Sequence, residues 1–306
     1  MKLLITGGTG MVGKSLQNHP GSSSYDLLAP SSRELNLLDY QATFDYLQKT
    51  KPDVIVHAAG KVGGIKANMA DPYGFLYANM TIGFNLVQAA RATGIKKLLN
   101  LGSSCMYPRD TTNPLREEQI LDGKLEPTNE GYALAKISVA KLCVAACSES
   151  LQYKTLIPCN LYGPLDKFGA TEAHLIPAVI AKIHAIKNTN KSIEVWGTGA
   201  ARREFMFVDD LADFIYFALP QIENLSDFTN VGLGTDLSVL EYYNAVKEVL
   251  GVQAEYVFDT SKPEGMKQKV VDITQQTKLG WTPKTDLKTG LNKTYRYYQT
   301  LCKQTT

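Results

Sequence analysis

Lys2-Leu3-Leu4-Ile5-Thr6-Gly7-Gly8-Thr9-Gly10-Met11-Val12-Gly13 decides the fold. A short apolar strand runs into glycines, and the glycines open a helix. Gly7, Gly10 and Gly13 stand at GxxGxxG spacing. The turn must be tight, its backbone must approach a pyrophosphate, and the helix must pack on the strand; each demand excludes a Cβ. The helix start, with Met11 and Val12 behind Gly10, offers free N–H groups and a partial positive charge to phosphates. A glycine-rich turn without a ligand is the bland alternative, and its place at the first strand–helix junction argues against it.

Outward from this loop, short apolar runs alternate with amphipathic stretches. Strands are expected over 2–6, 26–29, 54–57, 98–102 and 155–158, and helices over 10–18, 40–49, 79–93 and 132–149. Such alternation predicts parallel βαβ units, a doubly wound α/β sheet whose strand ends form a ligand-binding edge. A helix over 209–217 and a strand over 228–231 return to the sheet. The expected division is a dinucleotide-binding domain at 1–164, rejoined by 204–232. A smaller C-terminal substrate domain takes 165–203 and 233–306, with a helix over 238–250 and a turn-rich tail.

Nicotinamide enzymes place an acid on the ribose at the end of the second strand. That position here reads Ala29-Pro30-Ser31-Ser32-Arg33-Glu34. Two hydroxyls and an Arg suit the extra phosphate of NADP, with Glu34 as a competitor that would favour NAD.

Tyr132-Ala133-Leu134-Ala135-Lys136 puts a phenol and an ammonium on one face of a helix, a single turn apart. The ammonium stabilises the phenolate, which lets the phenol exchange protons near neutral pH. YxxxK is common by chance, as a surface Tyr and a solvated Lys. Here it follows Gly102-Ser103-Ser104-Cys105, where Ser103 can hydrogen-bond a reacting oxygen, so acid, charge-setter and oxygen ligand meet at one site.

The net charge of +2, with no run of one sign, argues against nucleic acid or a membrane surface as partner. The N-terminal apolar stretch is too short for a signal peptide. Five irregularly spaced cysteines (Cys105, Cys143, Cys147, Cys159 and Cys302) read as reduced thiols of a cytoplasmic protein. The histidines His19, His57, His174 and His184 do not cluster, so no metal is expected. The apolar residues Ile82, Leu86, Ile137 and Leu142 lie on more than one face of the 79–93 and 132–149 helices, which suggests a homodimer through a four-helix face.

The glycine loop, the Ser and YxxxK, in this order, resemble the extended short-chain dehydrogenase/reductases. Further stretches are similar to the GDP-L-fucose synthase family, the GDP-4-keto-6-deoxymannose 3,5-epimerase/4-reductases. They are Val56-His57-Ala58-Ala59-Gly60 with Lys61-Val62-Gly63-Gly64-Ile65, Leu101–Pro108, Glu126–Glu130, Asn160-Leu161-Tyr162-Gly163-Pro164 and His174-Leu175-Ile176-Pro177. Val195–Gly199, Arg203-Glu204-Phe205, Val208-Asp209-Asp210 and Ser261-Lys262-Pro263 continue the series. The resemblance implies NADP(H) and a GDP-linked 4-keto-6-deoxy sugar. It implies a reductase centre of Ser103, Tyr132 and Lys136, and an epimerase pair of Cys105 and His174. It also implies cofactor contacts at Asn36, Leu37, Ala58, Ala59, Asn160 and Leu161, and sugar-nucleotide contacts at Ser104, Asn160, Trp196, Arg203 and Lys269. Two stretches depart from the family: Pro30-Ser31-Ser32 stands where it carries basic residues, and 165–173, bordering His174, differs.

The residues alone leave other readings open. Cys105 after a strand reads first as a buried small hydrophobe, and His174 before Leu-Ile-Pro as a helix-start residue. A 4-epimerase, or a 4-reductase of a GDP-deoxyheptose or a colitose precursor, fits the same motifs. A dehydratase would carry an Asp-Glu pair in place of Ser104-Cys105. A non-catalytic NADP-sensing module would have no need of Tyr132 and Lys136.

Overall fold

The computed structural model describes residues 1–169, 173–189, 191–262 and 265–304. Residues 170–172 of the divergent 165–173 stretch, and Pro263, lie outside them.

The chain begins β1 (Lys2–Thr6), α1 (Met11–Asn18), β2 (Asp26–Leu28), α2 (Tyr40–Thr50), β3 (Val54–His57), α3 (Ile65–Ala70) and α4 (Pro72–Ala92). Next come β4 (Lys97–Leu101), α5 (Glu130–Ala146), β5 (Gln152–Pro158), β6 (Asn160–Tyr162), α6 (Leu175–Ile186), β7 (Ile193–Trp196), β8 (Arg202–Arg203) and β9 (Phe205–Phe207). The remainder is α7 (Val208–Ala218), β10 (Phe228–Val231), β11 (Leu237–Ser238), α8 (Val239–Leu250), β12 (Tyr256–Asp259), β13 (Gln268–Lys269), α9 (Thr274–Lys278) and α10 (Leu287–Gln304).

Six strands form one parallel sheet in the order β10-β5-β4-β3-β1-β2. Successive residues of β1 serve opposite faces. Leu3 and Ile5 join a core with Leu16, Leu211, Phe214 and Trp281, while Leu4 joins one with Leu47, Ile55, Leu86 and Val139. Both faces are covered, so these strands read as continuous apolar runs. The strand order reverses between β1 and β3, and the crevice at that point is where doubly wound sheets take ligands.

A second apolar core gathers Ile176, Ile180, Ile183, Val195, Tyr242, Val246, Leu291 and Tyr295 beyond the sheet edge. Short strand pairs frame it: β7 with β12, β6 with β9, and β8 between β11 and β13. Val271 and Trp281, from the C-terminal part, lie instead in the core under the sheet.

The sequence expectation is corrected in three places. Helix α4 starts at Pro72, seven residues early, because Asp71 accepts a hydrogen bond from Gly74 N (2.8 Å) and Pro72 occupies the first turn. Helix α6 was not anticipated, although Ile176, Val179, Ile180 and Ile183 are buried at helical spacing. The tail is not turn-rich. Residues Leu287–Gln304 are one helix, whose stripe of Leu291, Tyr295 and Tyr298 is largely aromatic and so reads as polar.

Candidate active site

Gly7 sits at φ +73°, and a Cβ there would lie 2.8 Å from the Ala59 backbone. A Cβ on Gly13 would lie 2.2 Å from the Gly7 carbonyl oxygen. The loop therefore fits closely against β3's exit at Ala58-Ala59, where Ala59 N donates to Thr6 Oγ1 (3.3 Å). Gly10 heads α1 with no side-chain cap, and no acid stands in the first turn with Met11 and Val12. This is a cradle that side chains would fill, opening on uncapped N–H groups, and it fits a dinucleotide pyrophosphate.

At the end of β2, Ser31 spends its backbone N–H (2.8 Å) and its hydroxyl (2.7 Å) on the Glu34 carboxylate. These hydrogen bonds hold Glu34 below the usual carboxylate range. Ser32, Arg33 and Asn36 are exposed, whereas Leu37 is buried in the core. Glu34, the competitor to Ser31, Ser32 and Arg33 at this strand end, is thus tied to Ser31 itself.

Helix α5 carries Tyr132 and Lys136. The Lys136 ammonium lies 5.8 Å from the Tyr132 ring centroid and donates to the Leu101 carbonyl at 2.8 Å. That carbonyl ends β4, immediately before Gly102-Ser103, so one bond fixes the helix against the loop. Burial pulls Lys136 down to about 8. Burial pushes the Tyr132 phenol well up, Cys105 adds to the rise, and a hydrogen bond with Ser103 opposes it. Below neutral pH the pair is thus a protonated phenol beside an ammonium.

Ser103 opens a single 3-10 turn over Ser104–Met106, its Oγ accepting from Cys105 N (3.2 Å). Ser104 is buried beneath. Cys105 Sγ receives Asn129 Nδ2 at 3.1 Å and Lys269 Nζ at 3.6 Å. Ser103, Cys105, Tyr132, Lys136 and Lys269 therefore share one site. His174, half-buried, is the N-cap of α6, yet its side chain makes no capping bond. Burial first, then Lys167 and Lys269, hold its imidazole below the ordinary range.

Asn160 Nδ2 donates to the Glu204 carbonyl (2.8 Å), which joins β6 to the end of β8; Leu161 packs against the core under the sheet. Arg203 Nη1 donates to the Arg202 carbonyl (2.7 Å). Trp196 is exposed, with the Lys66 ammonium 4.6 Å from its ring centroid and Lys182 and Lys262 at 6.0 Å.

Three contributors had no role in the sequence reading. Asn129 had no signal beyond preceding the Tyr132 helix. Asn79 holds the loop after β3, accepting from Lys61 N (2.9 Å) and donating to its carbonyl (3.1 Å). Glu204 is fully buried, and its carboxylate accepts from Leu233 N, Gly234 N and Val271 N. Burial nevertheless raises Glu204 to about 7. A buried Glu in a short strand gap is legible as important only once its three N–H partners are known.

A phosphate cradle and a buried Tyr–Lys pair on one parallel sheet define a nicotinamide-dependent enzyme of the extended short-chain dehydrogenase/reductase type. Residues 3–233 match the NAD dependent epimerase/dehydratase family, and the chain belongs to it. A GDP-L-colitose synthase of Yersinia pseudotuberculosis is 50% identical over 301 residues, 97% of this chain and 98% of that one. A GDP-L-fucose synthase of Azorhizobium caulinodans is 48% identical over 301 residues, 98% of this chain and 96% of that one. Among solved structures, a GDP-mannoheptose C4 reductase from Campylobacter jejuni with NADP bound superposes with a TM-score of 0.88 at 29% identity, covering 97% and 98% of the two chains. The resemblance read from the motifs holds over the whole length.

Proposed function

We propose that the enzyme converts a GDP-linked 4-keto-6-deoxy sugar, inverting carbons 3 and 5 and reducing the 4-ketone with NADPH. The observation that carries this reading is the meeting of Ser103, Cys105, Tyr132 and Lys136 at one loop–helix junction, in a chain akin to GDP-L-fucose and GDP-L-colitose synthases. Gly7, Gly10, Met11, Val12 and Gly13 would hold the cofactor pyrophosphate, with Ser31, Ser32 and Arg33 at the extra phosphate. Asn36, Leu37, Ala58, Ala59, Asn160 and Leu161 would complete that site. When bound, the cofactor supplies the hydride.

The chain's own groups do the rest. A 4-ketone acidifies the protons on both neighbouring carbons, so one base serves both inversions. Cys105 takes a proton, and His174 returns one to the opposite face. The depressed imidazole is a stronger acid than an ordinary one once protonated, at a cost in the protonated population at neutral pH. Ser103 and Tyr132 bind the ketone oxygen, which carries negative charge in each inversion and again during reduction. Tyr132, kept protonated by burial, then delivers its proton, and the Lys136 ammonium offsets the charge left behind. Ser104, Asn160, Trp196, Arg203 and Lys269 line the sugar-nucleotide side.

The relative at 50% identity keeps a second substrate of the colitose kind in view. A panel of GDP-4-keto sugars with NADPH tests both: cofactor oxidation with none of them would sink the reading, and the preferred sugar decides between them.

The proposed division assigns 1–164 and 204–232 to the cofactor, and 165–203 and 233–306 to the sugar nucleotide. A homodimer is part of the same reading. Leu86 and Ile137 are buried within the chain, but Tyr73, Tyr77 and Phe84 on α4 and Leu134 on α5 are exposed. Two copies of this face would cover them. A sedimentation mass of one chain at micromolar concentration would exclude the dimer. A cytoplasmic location suits the free cysteines, and among the described residues no helix is long and apolar enough to cross a membrane.

A further inference from the structure

By resemblance Lys269 is a sugar-nucleotide contact, but its ammonium lies against a sulfur. Lys269 is 9% exposed. Its Nζ is 3.6 Å from Cys105 Sγ, and no carboxylate among the described residues lies within 4.0 Å of it. An ammonium at the end of a largely buried side chain is best satisfied by a partner that carries or accepts charge. The sulfur also accepts from Asn129 Nδ2 at 3.1 Å. A thiol has one weak proton to give and poor acceptor capacity; a thiolate accepts two hydrogen bonds readily.

We infer that Lys269 and Asn129 hold Cys105 as a thiolate, with Lys269 as the counter-ion of the base. The thiol proton passes to solvent before turnover, and no oxidant or further reactant enters. The inference rests on Cys105 acting as a base and names what makes it one.

His174 does not fill the counter-ion role. Burial first, then Lys167 and this same Lys269, disfavour its imidazolium. A cysteine–imidazolium ion pair is thus replaced by a cysteine–ammonium pair, and the imidazole is left outside it. The effect reaches Tyr132 as well, since charge on Cys105 opposes a phenolate and keeps the phenol a donor.

Position is fixed by backbone. Lys269 lies in β13, paired with Arg203 in β8. Glu204 N donates to the Lys269 carbonyl (3.2 Å), and Val271 N donates to the Glu204 carboxylate (2.8 Å). The ammonium stem is held on both sides of its Cα.

The test is alkylation by iodoacetamide at neutral pH, with each cysteine followed by mass spectrometry. Cys147 and Cys302, partly buried like Cys105, are internal standards. In the unmodified protein Cys105 should react faster than both. Lys269→Met should slow Cys105 on the order of tenfold or more while the standards keep their rates. Lys269→Arg should restore most of the rate, because it returns charge and not shape. Asn129→Ala, which leaves the ammonium in place, should slow it a few-fold. Equal Cys105 rates in the unmodified protein and Lys269→Met, or a Cys105 slower than both standards from the outset, would overturn the inference. Urea midpoints confirm that the variants fold, and the unmodified comparison stands if one does not. Should alkylation behave as stated while Cys105→Ala leaves sugar–solvent hydrogen exchange intact, the ion pair stands and the base reading falls.

Discussion

Tyr132 and Lys136 come from one turn of one helix; Cys105 and its neighbours come from four separate segments. The first pair needs only α5 and the Leu101 carbonyl. The second depends on the turn after β4, the residue before α5, β13, and the start of α6, where the Lys269 charge reaches His174. Proximity along the chain makes the first centre a local property. The second exists only when the sheet edge and the outlying core are both in place.

The largest effect should separate the two centres. Tyr132→Phe removes the proposed proton donor and should cut cofactor oxidation on the order of 10²–10⁴-fold, while exchange of sugar hydrogens with deuterated water, which keeps Cys105 and the Ser103 donor, falls less. Equal loss of both activities would break the comparison. Cys105→Ala should act in reverse: exchange falls to background, while a 4-ketone that needs no inversion is still reduced. If exchange and product stereochemistry persist in Cys105→Ala, Cys105 is a packing residue and the enzyme a simple reductase.

A smaller effect probes the long-range assembly. Glu204 is raised to about 7 from an ordinary 4.5. A carboxyl whose folded value lies above its unfolded one binds its proton more tightly when folded. Its contribution is full below pH 4.5 and is lost as pH rises toward 7. Urea denaturation should therefore show stability falling by on the order of 1 kcal/mol per pH unit across that window from this group. Glu204→Gln should flatten the slope, and, because Val271 follows Lys269 so closely, should disturb exchange more than reduction. An unchanged slope would show that the three N–H groups cancel the effect of burial on this carboxyl.

The smallest effect belongs to the cofactor end. Arg33→Ala should erode preference for NADPH over NADH on the order of tenfold. Glu34, held against Ser31, opposes an anion there, so Glu34→Gln should strengthen the preference. Kinetics with both cofactors measure this, and equal use by the unmodified enzyme would mean that the end of β2 has been misread.

The same contrast explains what the sequence could tell. Strand β1, the glycine loop, YxxxK and β10 obey short-range rules of periodicity and steric exclusion, and their positions agree closely with expectation. Helix α4 was read late because Asp71-Pro72, a capping signal, lies seven residues before the apolar pattern becomes helical. Helix α10 escaped because its buried stripe is largely tyrosine. Cys105 and His174 drew attention only through the family resemblance, since nothing local distinguishes a reactive thiol from a buried one. The contact of Lys269 with Cys105 spans 164 positions and leaves no local mark.

A centre drawn from four segments is also a centre that one substitution can remove. Any single loss at Cys105, Asn129, His174 or Lys269 would leave in place the glycine cradle and the Tyr132–Lys136 pair with its anchor on the Leu101 carbonyl. Gaining the second centre needs several coincident residues; losing it needs one.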